Sequence, residues 1–237
     1  MSDIDPGGAR PRKHLVRSYD EDLNRLSSLI TRMGGIAERH VAMAMEALVE
    51  RDEAKANGVV AGDPEVDALE EQIDQTAIRL FATRQPMAVD LRVIAMSLKI
   101  SNDLERISDY AKGIAKRARR LNDQPPLKPF VTLPAMAEQV QEMVKGVLDA
   151  FVDRDAEKAM AVWRQDQDVD AYYDSLFREL ITFILEDPRT TSVCIDLLFI
   201  AKNLERIGDH ATNIAEKIHY VVHGVQVNRQ RKEEAKA

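Results

Sequence analysis

An internal repeat spans most of this amino-acid sequence. The segment Leu104-Glu105-Arg106-Ile107-Ser108-Asp109 recurs as Leu204-Glu205-Arg206-Ile207-Gly208-Asp209 at an offset of 100 residues. Earlier in each half, Asp63-Pro64-Glu65-Val66-Asp67-Ala68 matches Asp166-Gln167-Asp168-Val169-Asp170-Ala171 at an offset of 103. The difference of three residues predicts a deletion near Pro188. Two similar structural units are therefore expected in tandem.

The apolar residues of both halves recur at helical spacing. In each half they step by three and four residues, as in Ile100, Leu104, Ile107, Ala111, Ile114 and Ala118. This spacing is typical of bundle cores, and an aromatic content of only 5% argues against an all-β fold. The sequence predicts an all-α fold of two tandem three-helix bundles. The predicted long helices cover 18–51, 63–84, 88–121, 134–153, 166–186 and 190–222, with short extra turns near 53–61 and 155–164.

Prolines and polar segments divide the chain into five predicted parts. Asp63 and Pro64 are interpreted as the N-cap and first residue of a helix. Four prolines within 122–134 indicate a break between the halves. The parts are a flexible tail (1–17), a first repeat (18–121), a proline-rich linker (122–133), a second repeat (134–222) and a polar tail (223–237).

Composition excludes several functional classes. The formal net charge of −7 disfavours a nucleic-acid partner. A single cysteine, Cys194, excludes an internal disulfide or a cysteine-based zinc site, and its apolar neighbours predict a buried thiol. No segment approaches 18 apolar residues, so no transmembrane segment is expected. These features predict a cytoplasmic protein.

Pairs of carboxylates four residues apart align between the two halves, and each pair shares one helix face. The pairs are Asp67 with Glu71, Glu105 with Asp109, Asp170 with Asp174, and Glu205 with Asp209. In an antiparallel hairpin, facing residues have a constant index sum. That sum is 176 in the first half and 379 in the second, so Glu71 should face Glu105, and Asp174 should face Glu205. Each half is therefore predicted to hold a hard cation by oxygen ligands alone: iron, manganese, magnesium or calcium.

Two other interpretations of these carboxylates remain open. They could be solvated, or paired with Arg106 and Arg206, in a helical scaffold without metal. Glu70 and Asp74 also stand four residues apart, but no carboxylates align with them in the second half. They are ranked lower, as outer-shell or surface residues.

Catalysis is not expected from the pattern of histidines. A di-iron oxidase of the ferritin type needs two Glu-x-x-His helices, and only Glu216 with His219 fits that spacing. His210 follows Asp209, but no catalytic triad or phosphate-binding loop is visible. We therefore predict no enzyme, with a carboxylate-bridged metal hydrolase or oxidase as the alternative. His40 is expected to lie in the core. The basic run from Lys112 to Arg120 is expected to lie at a helix C-terminus.

Three motifs resemble the PhoU family of bacterial phosphate-signalling regulators. They are Arg84-Gln-Pro-Met-Ala-Val-Asp-Leu-Arg92, Ser101-Asn-Asp-Leu-Glu-Arg-Ile-Ser-Asp109 and Asn203-Leu-Glu-Arg-Ile-Gly-Asp-His-Ala-Thr-Asn-Ile-Ala-Glu216. The resemblance implies tandem three-helix bundles whose Glu/Asp-x-x-x-Asp motifs hold multinuclear metal clusters. It also implies a cytoplasmic homodimer without enzymatic activity. Such an accessory protein of the phosphate-specific transport system acts as a negative regulator of the phosphate regulon, with a sensor histidine kinase and the phosphate ABC transporter ATPase as partners.

The two halves depart from each other within this motif. Ser108 and Tyr110 stand where the second half has Gly208 and His210. These bulkier side chains predict a first metal site that is narrower or less occupied.

Overall fold

The computed structural model describes residues 11–84, 86–125 and 132–227, with side chains from residue 19 onward. Within these ranges the chain is helical and contains no strand. Its elements are α1 (Pro11–Glu50), α2 (Glu53–Thr83), α3 (Ala88–Asn122), α4 (Thr132–Asp153), α5 (Ala156–Arg164), α6 (Asp166–Glu186), a 3-10 turn (Pro188–Thr190) and α7 (Thr191–His223). The all-α prediction is confirmed. Within the described residues, no helix is long and apolar enough to cross a membrane.

Helix α1 is longer than predicted at its N-terminus. It begins at Pro11, seven residues before the expected start, so residues 11–17 of the predicted tail are helical. Proline is well suited to a first helical position, because its φ is already helical and its missing N–H needs no partner there. Residues 1–10 of the tail prediction lie outside the described residues.

The predicted helix start at Asp63 and Pro64 is wrong. Helix α2 continues through Pro64, with buried Val59 and Val66 holding both sides of the proline in the core. The N-cap is Asp52, whose Oδ1 accepts hydrogen bonds from the backbone N–H groups of two following residues at 2.8 and 3.1 Å. The predicted short turn at 53–61 is therefore part of α2. In the second half, a one-residue interruption at Gln165 separates α5 from α6.

The two halves pack side by side through α3 and α7, the last helix of each half. Helices α1, α2 and α3 form the first bundle, and α4 to α7 form the second. Arg92 Nε donates to the Val221 carbonyl at 3.3 Å, while Arg117 Nε lies 3.8 Å from Asp196 near the other end of α7. Helices α3 and α7 are therefore antiparallel along the junction between the bundles.

A second contact between the halves depends on a glycine. A Cβ at Gly34 of α1 would overlap the side chain of Leu148 on α4. Gly34 therefore permits close approach of α1 and α4, and α1 remains one continuous helix there. Helix α3 extends to Asn122 and α4 begins at Thr132, while residues 126–131 of the predicted linker lie outside the described residues. The same is true of residues 228–237 of the predicted polar tail.

Candidate carboxylate site

In the first hairpin, Glu70 rather than Glu71 faces α3. Glu70 is half-buried and forms a hydrogen bond with Asn102 of α3. Glu71 is exposed, and its Oε1 accepts a hydrogen bond from Gln75 at 3.0 Å. Glu70, which the sequence ranks below Glu71, is therefore the residue that lies on the α2 face toward α3.

Glu105 is the most perturbed carboxyl group on this face. Burial raises its pKa to about 7, and the neighbouring charges of Asp109 and Glu70 act in the same direction. Arg106 opposes them, with its Nε 3.4 Å from Glu105 Oε2 and its Nη1 3.8 Å from Asp109 Oδ2. The charged form of Glu105 is therefore disfavoured by both desolvation and repulsion.

Glu70 experiences the same conditions from the opposite helix. Burial raises its pKa, and the charges of Asp74 and Asp67 raise it further. A hydrogen bond with Asn102 partly compensates. The first-half acidic face therefore comprises five carboxylates: Asp67, Glu70, Asp74, Glu105 and Asp109.

The equivalent face of the second half carries fewer carboxylates and an additional cation. Tyr173 replaces Glu70, and Phe177 replaces Asp74, as the offset of 103 shows. Lys202 occupies the position of Asn102. Its Nζ lies 2.6 Å from Glu205 Oε2 and 5.3 Å from the ring centroid of Tyr173. Glu205 therefore has a close cation at 2.6 Å, whereas Glu105 has two like charges beside it and its cation, Arg106, at 3.4 Å.

The remaining predicted residues lie around these faces. Asp170 is half-buried on the second hairpin, while Asp174 and Asp209 are exposed. Asp174 is the counterpart of Glu71 and lies outside the half-buried face. The two arginines differ, because Arg106 contacts Glu105 and Asp109, whereas the guanidinium carbon of Arg206 lies 5.5 Å from the Tyr110 ring centroid.

The prediction of a narrower or less occupied first site depends on Ser108 and Tyr110, and both contact residues outside the acidic face. Ser108 is buried, and its Oγ lies 2.7 Å from His40 Nδ1. Tyr110 faces the second half, with its ring centroid 5.7 Å from that of His210. His40 is a core residue, as expected, and burial lowers its pKa. Cys194 is also buried, as predicted.

A preformed metal centre is absent from the described part of the chain. No three His, Cys, Asp or Glu side chains there are grouped closely enough to hold an ion. The donors of the first-half acidic face are nevertheless all carboxylate oxygens and only partly neutralised. Asp67 and Asp74 are exposed, and the other three are half-buried. Such a set suits a hard cation after side-chain rotation. The second-half set suits one less well, because Lys202 already pairs with Glu205.

A buried ionic contact between the halves is not among the residues predicted from the sequence. Asp103 of α3 is 6% exposed. Its Oδ1 lies 2.9 Å from His210 Nδ1, and its Oδ2 forms an ion pair with Lys217 Nζ. The available signal was the repeat itself, because Asn203 occupies the equivalent position in an otherwise similar motif. His210 is therefore part of the junction rather than a ligand or base on the acidic face.

The basic end of α3 also joins the two halves. Arg120 forms an ion pair with Asp196 of α7, and the Arg117 guanidinium carbon lies 4.7 Å from the Phe199 ring centroid. These contacts occupy two members of the run that the sequence placed at a helix C-terminus.

The family comparison agrees with this architecture. The family model for the PhoU domain matches the chain twice, over residues 30–118 and 133–218. A phosphate-specific transport system accessory protein PhoU homolog from Caulobacter vibrioides is 49% identical over 220 residues, covering 92% of this chain and 96% of the relative. A homolog of the same description from Zymomonas mobilis is 47% identical over 214 residues, covering 90% of each chain.

Solved structures show the same fold. The crystal structure of PhoU from Pseudomonas aeruginosa has a TM-score of 0.85 and 39% identity, covering 87% of this chain and all of that one. The phosphate transport system regulatory protein PhoU from Streptococcus pneumoniae has a TM-score of 0.82 and 28% identity, covering 89% of this chain and 99% of that one.

The two PhoU-domain matches, and relatives described as accessory proteins of phosphate-specific transport, define the class of this chain as a regulatory accessory protein. The chain belongs to the PhoU family. These relatives do not support the alternative of a metal-dependent hydrolase or oxidase.

Proposed function

We propose that this protein is a cytoplasmic accessory protein of phosphate-specific transport that acts as a negative regulator of the phosphate regulon. In this proposal it communicates the state of the phosphate ABC transporter, through its ATPase, to a sensor histidine kinase. The observation that carries the proposal is similarity over nine-tenths of the chain to proteins described as accessory to phosphate-specific transport. The sensor histidine kinase as partner, and repression as the direction of regulation, come from the family resemblance.

A deletion strain tests the regulatory proposal. Because the protein is proposed to repress the response, phosphate-responsive genes should remain expressed in phosphate-rich medium after deletion. Complementation with the wild-type chain should restore repression. Normal repression in the deletion strain would contradict the proposal.

We further propose that the first-half acidic face binds a hard cation, which is iron, manganese, magnesium or calcium. The proposed oxygen donors are Asp67, Glu70, Asp74, Glu105 and Asp109. The cation would supply charge neutralisation, because Arg106 and Lys112 offset only part of the local negative charge. In the second half, Asp170, Glu205 and Asp209 form a smaller set beside Lys202, and we propose weaker binding there.

Paired substitutions test the metal proposal. Elemental analysis of chelator-treated, metal-reloaded protein should show that Glu105→Gln with Asp109→Asn removes most of the bound metal. The matched control is Glu205→Gln with Asp209→Asn, which should remove little. Metal should also raise the melting temperature of the wild-type chain by mass action. Unchanged metal content in both variants, with no thermal effect of chelation, would contradict the proposal.

We also propose that the protein is a homodimer, as the family resemblance implies. An exposed apolar stripe on α6 supports a protein contact, because Phe177, Ile181 and Leu185 are 43%, 40% and 78% exposed one turn apart. Light scattering of the wild-type chain should give twice the chain mass, and Ile181→Glu with Leu185→Glu should reduce it. A monomeric wild-type chain would contradict the proposal.

A further inference from the structure

Two histidines lie one turn apart near the end of α7, away from the acidic faces. His219 and His223 have ring centroids 4.7 Å apart, with their planes inclined at 54°. His223 is exposed and His219 is half-buried. The spacing of four residues places both imidazoles on one face of the helix. Neither ring takes part in the functions proposed above.

The chain reversal after α7 determines which nitrogen of His219 is available. Gly224 adopts the left-handed conformation, with a φ of 74°, and ends the helix. His219 Nδ1 then lies 3.2 Å from the carbonyl oxygen of Val225. A carbonyl oxygen only accepts hydrogen bonds, so Nδ1 carries the proton and donates it. In the neutral ring, the lone pair is therefore on Nε2.

We propose that His219 and His223 bind one transition-metal ion of the Zn²⁺, Ni²⁺ or Cu²⁺ class. Imidazole is a preferred ligand for these ions. A histidine ligand whose second ring nitrogen donates to a backbone carbonyl is held in one tautomer and orientation, as His219 is by Val225. The partial negative charge at the C-terminus of α7 also favours a cation. The ion has two protein ligands, and water completes its coordination.

Glu216 is not part of this site, although it forms the Glu-x-x-His spacing with His219. Its Oε1 accepts a hydrogen bond from Trp163 Nε1 of α5 at 3.1 Å. That contact directs the carboxylate toward the second bundle. The site therefore differs in chemistry from the carboxylate faces, since it offers nitrogen ligands to borderline ions rather than oxygen ligands to hard cations.

Metal at this site would strengthen the turn that follows α7. The ion fixes the His219 ring, and that ring donates to the carbonyl of Val225 two residues beyond the helix end. Metal binding is therefore coupled to the conformation of residues 224–227.

A competition titration of the full-length chain tests the site. Chelator-treated protein is titrated with Zn²⁺ against a chromophoric zinc chelator, in excess Mg²⁺ so that the carboxylates are occupied by a hard cation. One Zn²⁺ per chain should bind. His219→Ala or His223→Ala should weaken binding about tenfold or more, and the double variant should lose it. His14→Ala is the matched control, and its Zn²⁺ affinity should equal that of the wild-type chain.

Two further measurements make the result unambiguous. Circular dichroism should show unchanged helix content in all variants, because both rings lie at the end of a helix and outside the core. The ¹⁵N resonances of histidine side chains should show Zn²⁺ shifting Nε2 of His219 while Nδ1 stays protonated. Wild-type Zn²⁺ affinity in the double variant, or displacement of the Zn²⁺ by Mg²⁺, would overturn the proposal. Because Mg²⁺ is present throughout, this outcome is independent of the carboxylate proposal.

Discussion

The hairpins α2–α3 and α6–α7 have the same topology, but the charged side chains on their outer faces differ. Buried Leu104 and Leu204 occupy equivalent core positions, and both are 0% exposed. On the outer face, Glu105 has like charges as neighbours, whereas Glu205 pairs with Lys202. The repeat thus preserved the positions that pack the bundle and allowed the hairpin face to diverge. Similar motif sequences in two halves therefore do not imply equivalent sites.

The largest expected difference between the halves concerns Asp103 and its counterpart Asn203. Asp103→Ala leaves Lys217 and His210 without their shared carboxylate at the junction, so we expect a loss of about 3 kcal/mol of unfolding free energy. Asn203→Ala should cost less than about 1 kcal/mol, because no such ion pair is removed. Urea denaturation of both variants measures the difference. Equal losses would mean that the ionic contact does not distinguish the two sides of the junction.

The next largest effect is a change in the free energy of unfolding that should have opposite signs in the two hairpins. In chelator at pH 8, Glu105→Gln should stabilise the protein by about 1–2 kcal/mol, because it removes a repelled and partly desolvated charge. Glu205→Gln should destabilise it by up to about 1 kcal/mol, because it removes the partner of Lys202. Thermal denaturation with and without chelator gives both values. A stabilising Glu205→Gln would contradict the contrast between the faces.

The pH dependence of Glu105 follows from the same cause. Its folded-state pKa of about 7 lies above the ordinary value of 4.5, so the folded state binds more protons than the unfolded state between these values. Stability of the metal-free wild-type chain should therefore fall as pH rises from about 4.5 to about 7. Glu105→Gln should remove this contribution, and the difference between the two stability curves isolates it from other groups.

The smallest expected effect compares Arg51 with Arg154, which have similar positive φ values of 57° and 52°. Arg51 Nη2 donates to the carbonyls of Leu121 and Gln124 at 3.1 and 2.6 Å, near the end of α3. Arg51→Ala should cost about 1 kcal/mol. Arg154→Ala should cost less than about 0.5 kcal/mol, because the equivalent helix end is closed by Gly224. Chemical denaturation of both variants measures the two losses. A larger loss for Arg154→Ala would contradict the stabilising role given to the Arg51 hydrogen bonds.

The sequence predicted the helical class, the two halves and most helix positions, because a repeat and apolar spacing are local signals. It did not predict which side chains of α2 face α3. A constant index sum gives the positions that lie level with each other, but it does not give the direction of their side chains, and Glu70 rather than Glu71 faces α3. Continuity of α2 through Pro64 was also missed, because core packing on both sides outweighs a lost backbone hydrogen bond.

Asp103 was missed for a different reason. Its partners lie more than 100 residues away on α7, so no periodicity within α3 indicates them. Only the packing of the two bundles brings Asp103 to His210 and Lys217. Sequence reasoning located Glu105 and Asp109 because their signal is contained in one helix and repeated in the other.

The contact at Asp103 restricts how one bundle can move against the other. Its two partners on α7 are seven residues apart, or about 10 Å along the helix axis. Sliding α7 past α3 by one turn, about 5.4 Å, would break both bonds. A rotation about Asp103 would keep them, but it would separate Arg92 from Val221 and Arg120 from Asp196, toward the two ends of the junction. Contacts at the middle and near both ends of α3 and α7 therefore resist sliding and rotation alike, so the two bundles should respond to a force as one body.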